Sequence, residues 1–324
     1  MARVLVTGAN GFLGSELVRV LHEHGHQVVA MMRAGREAPS FWPEEVEVFH
    51  GDITRADDTA RACEGIEVIH HVAAVVGDWS SDEEHARVTI GGTRNVLDAA
   101  GRNGARVVLA SSVTVYGDHL GRRPCDETVP HGRPMGSYSR AKQAQERLCE
   151  ERSDVDTVII RPANIYGPGS GPWLHDLGVQ LKAGMPAQVG NRGNNAGLAY
   201  VTNVADVFAL AQDKAAAGDI YNACDGLDVT WKQYMTDLAR LLECRGPKHM
   251  PYGAAWLGAR IMEGLWRLFR VASRPPITRE AFNIVAHDNC FPSERARGRL
   301  GWEPRVSYEE ALEATREYLA RHPL

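Results

Sequence analysis

The first half of the chain alternates short apolar runs with stretches whose apolar residues recur three and four positions apart, the pattern of strands joined by helices. Arg3-Val4-Leu5-Val6-Thr7 reads as a strand, and the residues up to His24 follow with Leu13, Leu17, Val20 and Leu21 at helical spacing. Further strands are predicted over Gln27 to Met32, Val46 to Phe49, Ile66 to His71, Arg106 to Ala110 and Asp156 to Ile160. Helices are predicted over Arg55 to Cys63, roughly Asp82 to Arg102, and Tyr138 to Arg152. Strands regularly separated by helices imply an α/β fold with a doubly wound parallel sheet over residues 1–165. Beyond residue 166 the alternation becomes irregular, which suits a smaller C-terminal α/β lobe over 166–324, with segments near 199–225 and 284–292 returning to the first domain. Within that lobe Ala254 to Ala272 is unusually apolar, with Leu257, Ile261, Leu265 and Leu268 at helical spacing and Met262, Trp266 and Phe269 beside them. The pattern predicts a helix that packs this face on the lobe's core; alternatives are a wall of an apolar pocket or a shallow membrane contact.

Composition narrows the class of protein. The 324 residues carry 36 Lys and Arg against 41 Asp and Glu, a net charge of -5, so no basic field exists to hold a nucleic acid. Six scattered cysteines, none in a Cys-x-x-Cys pair, read as reduced thiols and not as a zinc site. The strand pattern begins at once, which leaves no room for a signal peptide, and Arg260, Glu263, Arg267 and Arg270 interrupt the late apolar segment too often for a spanning helix. The expectation is a cytoplasmic protein without a spanning membrane segment.

Two stretches carry candidate chemistry. The first strand runs into Gly8-Ala9-Asn10-Gly11-Phe12-Leu13-Gly14, a glycine turn opening a helix, where unpaired N–H groups and the helix dipole favour a pyrophosphate. Its spacing is Gly-x-x-Gly-x-x-Gly, a variant of the common dinucleotide fingerprint, and it makes the sheet Rossmann-type. Arg33, ending the second strand, favours the 2′-phosphate of NADP(H) over the bare ribose of NAD(H). Asp52, followed by Ile53, either accepts from an adenine amine or caps the next helix. His70 and His71 point to opposite faces of one strand and so do not share a metal. The second stretch is Tyr138 and Lys142, four apart on a predicted helix, which puts a phenol and an ammonium on one face. A positive charge beside the phenol would bring its pKa toward the working range, as acid/base chemistry on a carbonyl or alcohol requires.

Taken with His71-Val72-Ala73-Ala74, Ser111-Ser112 through Tyr116-Gly117, and Arg161-Pro162 through Gly167-Pro168, these motifs resemble the extended short-chain dehydrogenase/reductase superfamily almost end to end. The resemblance implies that Tyr138 is the general acid or base, that Lys142 holds the nicotinamide ribose and depresses the tyrosine pKa, and that Ser112 orients the reacting oxygen. It adds Ile53, Ala73, Ala74, Ser111, Pro162 and Ala163 to the cofactor-binding set. Val76, Thr114, Asn164, Trp173 and Tyr200 become candidate substrate contacts. Thr89 stands where the family often has Asn. Family members often dimerise through two helices, here Asp82 to Arg102 and Tyr138 to Arg152, so a homodimer is expected.

Within the superfamily three features favour an exchanged cofactor over a recycled one. Arg33 suggests NADP(H). Gly197 to Ala205 resembles the Tyr-Val-x-Asn-Val-Ala run of 3β-hydroxysteroid dehydrogenase-like proteins, with Leu198 near where sugar-nucleotide enzymes carry a diphosphate-binding arginine; nearby Arg192 is an alternative donor. The late segment is apolar, and Arg274-Pro275-Pro276-Ile277-Thr278 resembles a run in the sterol-type enzymes. The reading is an NADP(H)-dependent oxidoreductase interconverting a ketone and a secondary alcohol on a mostly apolar substrate. The alternatives are a nucleotide-sugar epimerase or dehydratase with tightly bound NAD, and a dinucleotide-sensing regulator, a type that commonly lacks the Tyr and Lys present here.

Overall fold

The computed structural model describes residues 1–190, 193–269, 271 and 273–324. Arg192, Arg270 and Ala272 therefore lie outside the described residues. The amino-terminal part runs β1 (Arg3–Thr7), α1 (Phe12–Glu23), β2 (Gln27–Met32), β3 (Glu47–His50), α2 (Ala56–Ala62), β4 (Val68–His71), α3 (Asp82–Glu84), α4 (Gly91–Asn103), β5 (Arg106–Ala110), α5 (Ser137–Glu151) and β6 (Thr157–Pro162). It continues through β7 (Asn164–Tyr166), α6 (Leu177–Lys182), β8 (Pro186–Val189), β9 (Leu198–Tyr200), α7 (Val201–Lys214), β10 (Ile220–Ala223), α8 (Trp231–Leu241), β11 (Lys248–Met250), α9 (Tyr252–Leu268), α10 (Arg279–Val285) and α11 (Tyr308–Arg321).

Seven parallel strands form one sheet in the order β10-β6-β5-β4-β1-β2-β3. The order reverses between β1 and β4, so the carboxyl ends of these two strands flank the crevice where open α/β sheets bind ligands. Strands buried on both faces explain the unbroken apolar runs: Val4, Leu5 and Val6 are fully buried, with Val4 and Val6 packing on one face and Leu5 on the other. Two short parallel pairs, β7 with β9 and β8 with β11, stand apart from this sheet.

The predicted helix from Asp82 to Arg102 is three pieces. A π-helical turn over His85–Ile90 separates α3 from α4, which widens the backbone where Thr89 sits. A larger difference concerns α9. Leu257, Ile261, Leu265 and Leu268 do not pack on the core but face solvent, while Ala255, Ala259 and Glu263 are turned inward. Small side chains allow close approach to α10, and Glu263 locks the contact by accepting from the backbone N and the Nε of Arg279, both at 2.6 Å. Among the described residues no helix is long and apolar enough to cross a membrane.

Candidate active site

The glycine turn is built for close approach. Gly8 has φ +68, which favours glycine, and a Cβ there would sit 2.8 Å from the Ala73 Cα. A Cβ on Gly14 would lie 2.2 Å from the Gly8 carbonyl oxygen, so the start of α1 can ride directly on the turn only without a side chain. The first turn of α1 contains no acidic residue, and Gly11 provides no side-chain cap. The N–H groups of Phe12, Leu13 and Gly14 are thus left for an external acceptor, and the cradle fits a dinucleotide pyrophosphate.

Behind this turn lies a chain of buried hydroxyls that the sequence did not reveal. Thr7 Oγ1 is 2.8 Å from His71 Nδ1, and His71 Nε2 is 3.0 Å from Thr93 Oγ1. Thr93 spends its one proton on the Thr89 carbonyl and accepts from Gln145 Nε2. His71 must therefore donate from Nε2 and accept at Nδ1 from Thr7, whose oxygen accepts in turn from the Ala73 N–H at 3.2 Å. Burial, reinforced by the Lys142 charge, pushes the His71 pKa down to about 3, in keeping with this neutral tautomer. The network ties β1, β4, α4 and α5 together and fixes Ala73 beside Gly8. Thr89 is fully buried and accepts from the Val75 N–H at 3.1 Å. His70 turns the other way to Gln212, 2.8 Å away.

Arg33 is exposed beyond the end of β2, and neither it nor Arg36 has a side-chain partner among the described residues. Asp52 does not cap α2. Its Oδ1 accepts from the N–H and hydroxyl of Thr54, both at 2.8 Å, in a local turn, and Arg55 occupies the cap position. Ile53 is buried against Gly92, where a Cβ would meet it at 2.5 Å.

The second cluster lies at the carboxyl end of β5. Ser112 accepts from the Thr114 N–H at 3.2 Å, and its hydroxyl lies near enough to Tyr138 to favour the ionised phenol. Lys142 is buried, with Nζ 5.7 Å from the Tyr138 ring centroid and donating to the Ala110 carbonyl at 2.7 Å. The two adjacent serines have different fates: Ser111 donates to Glu146, which also holds Arg161 at 2.6 Å and His131 at 2.7 Å. Despite burial, these donors hold the Glu146 carboxyl down to about 2. The Ser111 side chain is therefore committed to the interior, and Ser112 alone of the pair faces Tyr138.

The balance at Tyr138 runs opposite to the expectation of a depressed pKa. Burial raises the phenol, the Ser112 hydroxyl opposes it weakly, and the Glu280 charge adds to the rise. Lys142 is itself pushed down to about 7 by burial, against the pull of Glu146. Desolvation is the largest influence on both groups, and the charge that acts on the phenol is that of Glu280 and not of Lys142.

Two further groups at this cluster carried no sequence signal. Glu280, on α10, reaches across 141 residues to accept from the Ser139 N–H at 2.8 Å in the first turn of α5. Its second oxygen is buried without a partner among the described residues, and burial pushes its pKa up to about 7. Gly136 has no room for a side chain because Glu280 occupies that space. His85 is buried with its ring 6.4 Å from that of Tyr138, and Nε2 has no partner among the described residues.

The candidate substrate residues divide. Thr114 Oγ1, beside Ser112, is buried without a partner among the described residues, and Val76 is well exposed. Asn164 spends its amide on the Ala196 carbonyl at 2.7 Å. Trp173 packs tilted against Trp231, ring centroids 4.7 Å apart, and Tyr200 packs edge-on to Tyr166, so both belong to an aromatic core. Ala163 is buried, and its N–H is held by the Ala223 carbonyl, which fixes Pro162 at the end of β6. Leu198 is buried as well.

A Rossmann sheet with a glycine cradle at the reversal of strand order, facing a Ser-Tyr-Lys cluster, defines an NAD(P)-dependent enzyme of the extended short-chain dehydrogenase/reductase type. Residues 4–224 match the model of the NAD dependent epimerase/dehydratase family, and the chain belongs to that family. It is 30% identical to the 2-alkyl-3-oxoalkanoate reductase of Stenotrophomonas maltophilia, over 96% of this chain and 97% of that protein. It is 34% identical to the 3 beta-hydroxysteroid dehydrogenase/Delta 5-->4-isomerase of Mycobacterium tuberculosis, over 96% and 89%. The crystal structure of gox2253 superposes with a TM-score of 0.82 at 26% identity, covering 100% of this chain and 99% of that one.

Proposed function

We propose that the protein is an NADP(H)-dependent oxidoreductase that interconverts a ketone and a secondary alcohol on a mostly apolar substrate, steroid-like, flavonoid-like or long-chain β-keto. The observation that carries the reading is the Ser112–Tyr138–Lys142 cluster at the carboxyl edge that also bears the glycine cradle. The bound dinucleotide supplies the hydride, or accepts it in the reverse direction. Ser112 orients the substrate oxygen, and Tyr138, held protonated by burial, delivers a proton to it as charge develops. Lys142 binds the nicotinamide ribose through donors left over from Ala110 and keeps the phenol oriented. Phe12, Leu13 and Gly14 hold the pyrophosphate, and Arg33 receives the 2′-phosphate.

Leu198 cannot make the bidentate contact by which an arginine would hold a nucleotide diphosphate. The relatives' names, a reductase of 2-alkyl-3-oxoalkanoates and a 3β-hydroxysteroid dehydrogenase, point the same way. A homodimer through α4 and α5 is part of the proposal, with light scattering at micromolar concentration as its check. The test of the chemistry is the nucleotide. Mass spectrometry of a denatured sample, followed by titration of stripped protein, is expected to give weak, exchangeable binding that prefers NADPH to NADH. Stoichiometric NAD that resists removal would overturn this reading in favour of recycled-cofactor chemistry.

A further inference from the structure

α9 is inside out for a helix on a water-soluble surface. Its inward face is made of Ala255, Ala259 and Glu263, whereas the opposite pole carries Leu257, Ile261, Leu265 and Leu268, each 43–73% exposed. Over the 12 residues from Leu257 to Leu268 this row runs about 16 Å along the helix. Phe269 extends it at 70% exposure, and Trp256 borders it at 44%. A contiguous exposed row of this kind marks an interaction surface.

The charges say what meets it. The only acid on α9 is Glu263, buried, held by Arg279 and 4.0 Å from Arg267, so the exposed charges of the helix are the cations Arg260 and Arg267, both along one flank of the row. The Arg260 guanidinium lies 4.8 Å above the Trp256 ring, a cation and an aromatic side by side at the border of an apolar face. An apolar pole flanked by arginines and an indole is the arrangement that lies in the headgroup layer of an anionic membrane. A second α9 would meet those cations with more cations, since it has no acid to offer.

We propose that α9 docks the protein peripherally on an anionic lipid bilayer, with the leucine and isoleucine row in the acyl boundary and Arg260 and Arg267 among the lipid phosphates. The docked helix touches the segment that carries the candidate substrate contact Val76. Arg267 sits 5.9 Å above the ring of Trp79, and the neighbouring Asp78 is held by Arg274 at 2.6 Å and by Thr278. Segment Val75 to Ser80, which carries Val76, therefore lies at the level of the membrane surface. That an apolar substrate enters by this route rests on the function proposed above; the docking itself does not.

The test is sedimentation of the full chain with phosphatidylglycerol/phosphatidylcholine vesicles, compared with phosphatidylcholine alone, at physiological ionic strength. The protein is expected to pellet with the anionic vesicles. The triple variant Leu257→Gln, Ile261→Gln, Leu268→Gln keeps helix propensity and should stay in the supernatant with an unchanged melting temperature. Arg260→Gln with Arg267→Gln should weaken binding to anionic vesicles about thirtyfold and binding to neutral ones little. Three results would overturn the proposal: wild type remaining in the supernatant with both vesicles, the triple variant binding like wild type, or a solution dimer that the triple variant turns into monomer. None of these readouts depends on turnover, so failure here and failure of the oxidoreductase reading are distinguishable.

Discussion

Replacing Thr93 by valine keeps the side-chain shape and removes one hydroxyl. In the fold that hydroxyl accepts from Gln145 Nε2 at 2.6 Å and from His71 Nε2 at 3.0 Å, all within the interior. Thr93→Val leaves both donors buried without an acceptor. Each unpaired buried donor costs about 1–3 kcal/mol, so the variant should lose about 2–4 kcal/mol once partial relaxation is included. His71 cannot escape by shifting its proton to Nδ1, because the Thr7 hydroxyl would then lose its acceptor. Chemical denaturation at pH 7 measures the loss. Thr236→Val, on α8, removes a hydroxyl that bonds only the Lys232 carbonyl at the surface and should change stability by less than about 0.5 kcal/mol. Because His71 also fixes Thr7 and Ala73 against the glycines, Thr93→Val should weaken NADPH binding as well. A loss indistinguishable from that of Thr236→Val would refute the tautomer assignment and the network built on it.

Other expectations follow from the same geometry. Gly14→Ala should reduce dinucleotide affinity by at least about tenfold, since its Cβ would force the backbone of Gly8 to move; isothermal titration decides. By contrast Gly258→Ala and Gly264→Ala, in open space on α9, should each raise stability by about 0.5–1 kcal/mol. Arg33→Ser should cost NADPH about ten- to a hundredfold in affinity and leave NADH nearly unchanged; equal losses for both would remove Arg33 from the 2′-phosphate site. Glu280, with its folded pKa raised to about 7 from 4.5, binds more protons folded than unfolded between those values. Its contribution is full below about pH 4.5 and lost as pH rises through 7, so Glu280→Gln should flatten the stability–pH profile across that window; an unchanged slope would contradict the assignment.

The sheet and the two motifs were legible because each rests on local pattern. A short apolar run that ends in a glycine turn before a helical pattern reads as a buried strand, and Tyr138 and Lys142 are four apart on one helix. What the sequence hid depends on distant parts of the chain. Glu280 meets Ser139 across 141 residues, and nothing near either residue announces the other. Thr7, His71, Thr93 and Gln145 come from four elements, and each alone is unremarkable. Spacing shows an ammonium four residues from the Tyr138 phenol but not that Lys142 is buried or that desolvation pushes the phenol up. α9 shows a different limit. Periodicity identified its apolar face correctly, but that face was assigned to the core, whereas two alanines and a buried Glu263 turn it outward. A hydrophobic pattern locates a stripe without saying what covers it.

The central claim is that Tyr138 delivers the proton while hydride passes between the dinucleotide and the substrate carbon. It is tested most directly by incubating wild type and Tyr138→Phe with NADPH deuterated at C4 and a long-chain 2-alkyl-3-keto substrate, then following deuterium into the product. Wild type is predicted to place deuterium on the carbinol carbon, and Tyr138→Phe to place essentially none while binding NADPH with unchanged affinity. Deuterium transfer by Tyr138→Phe at the wild-type rate would contradict the account.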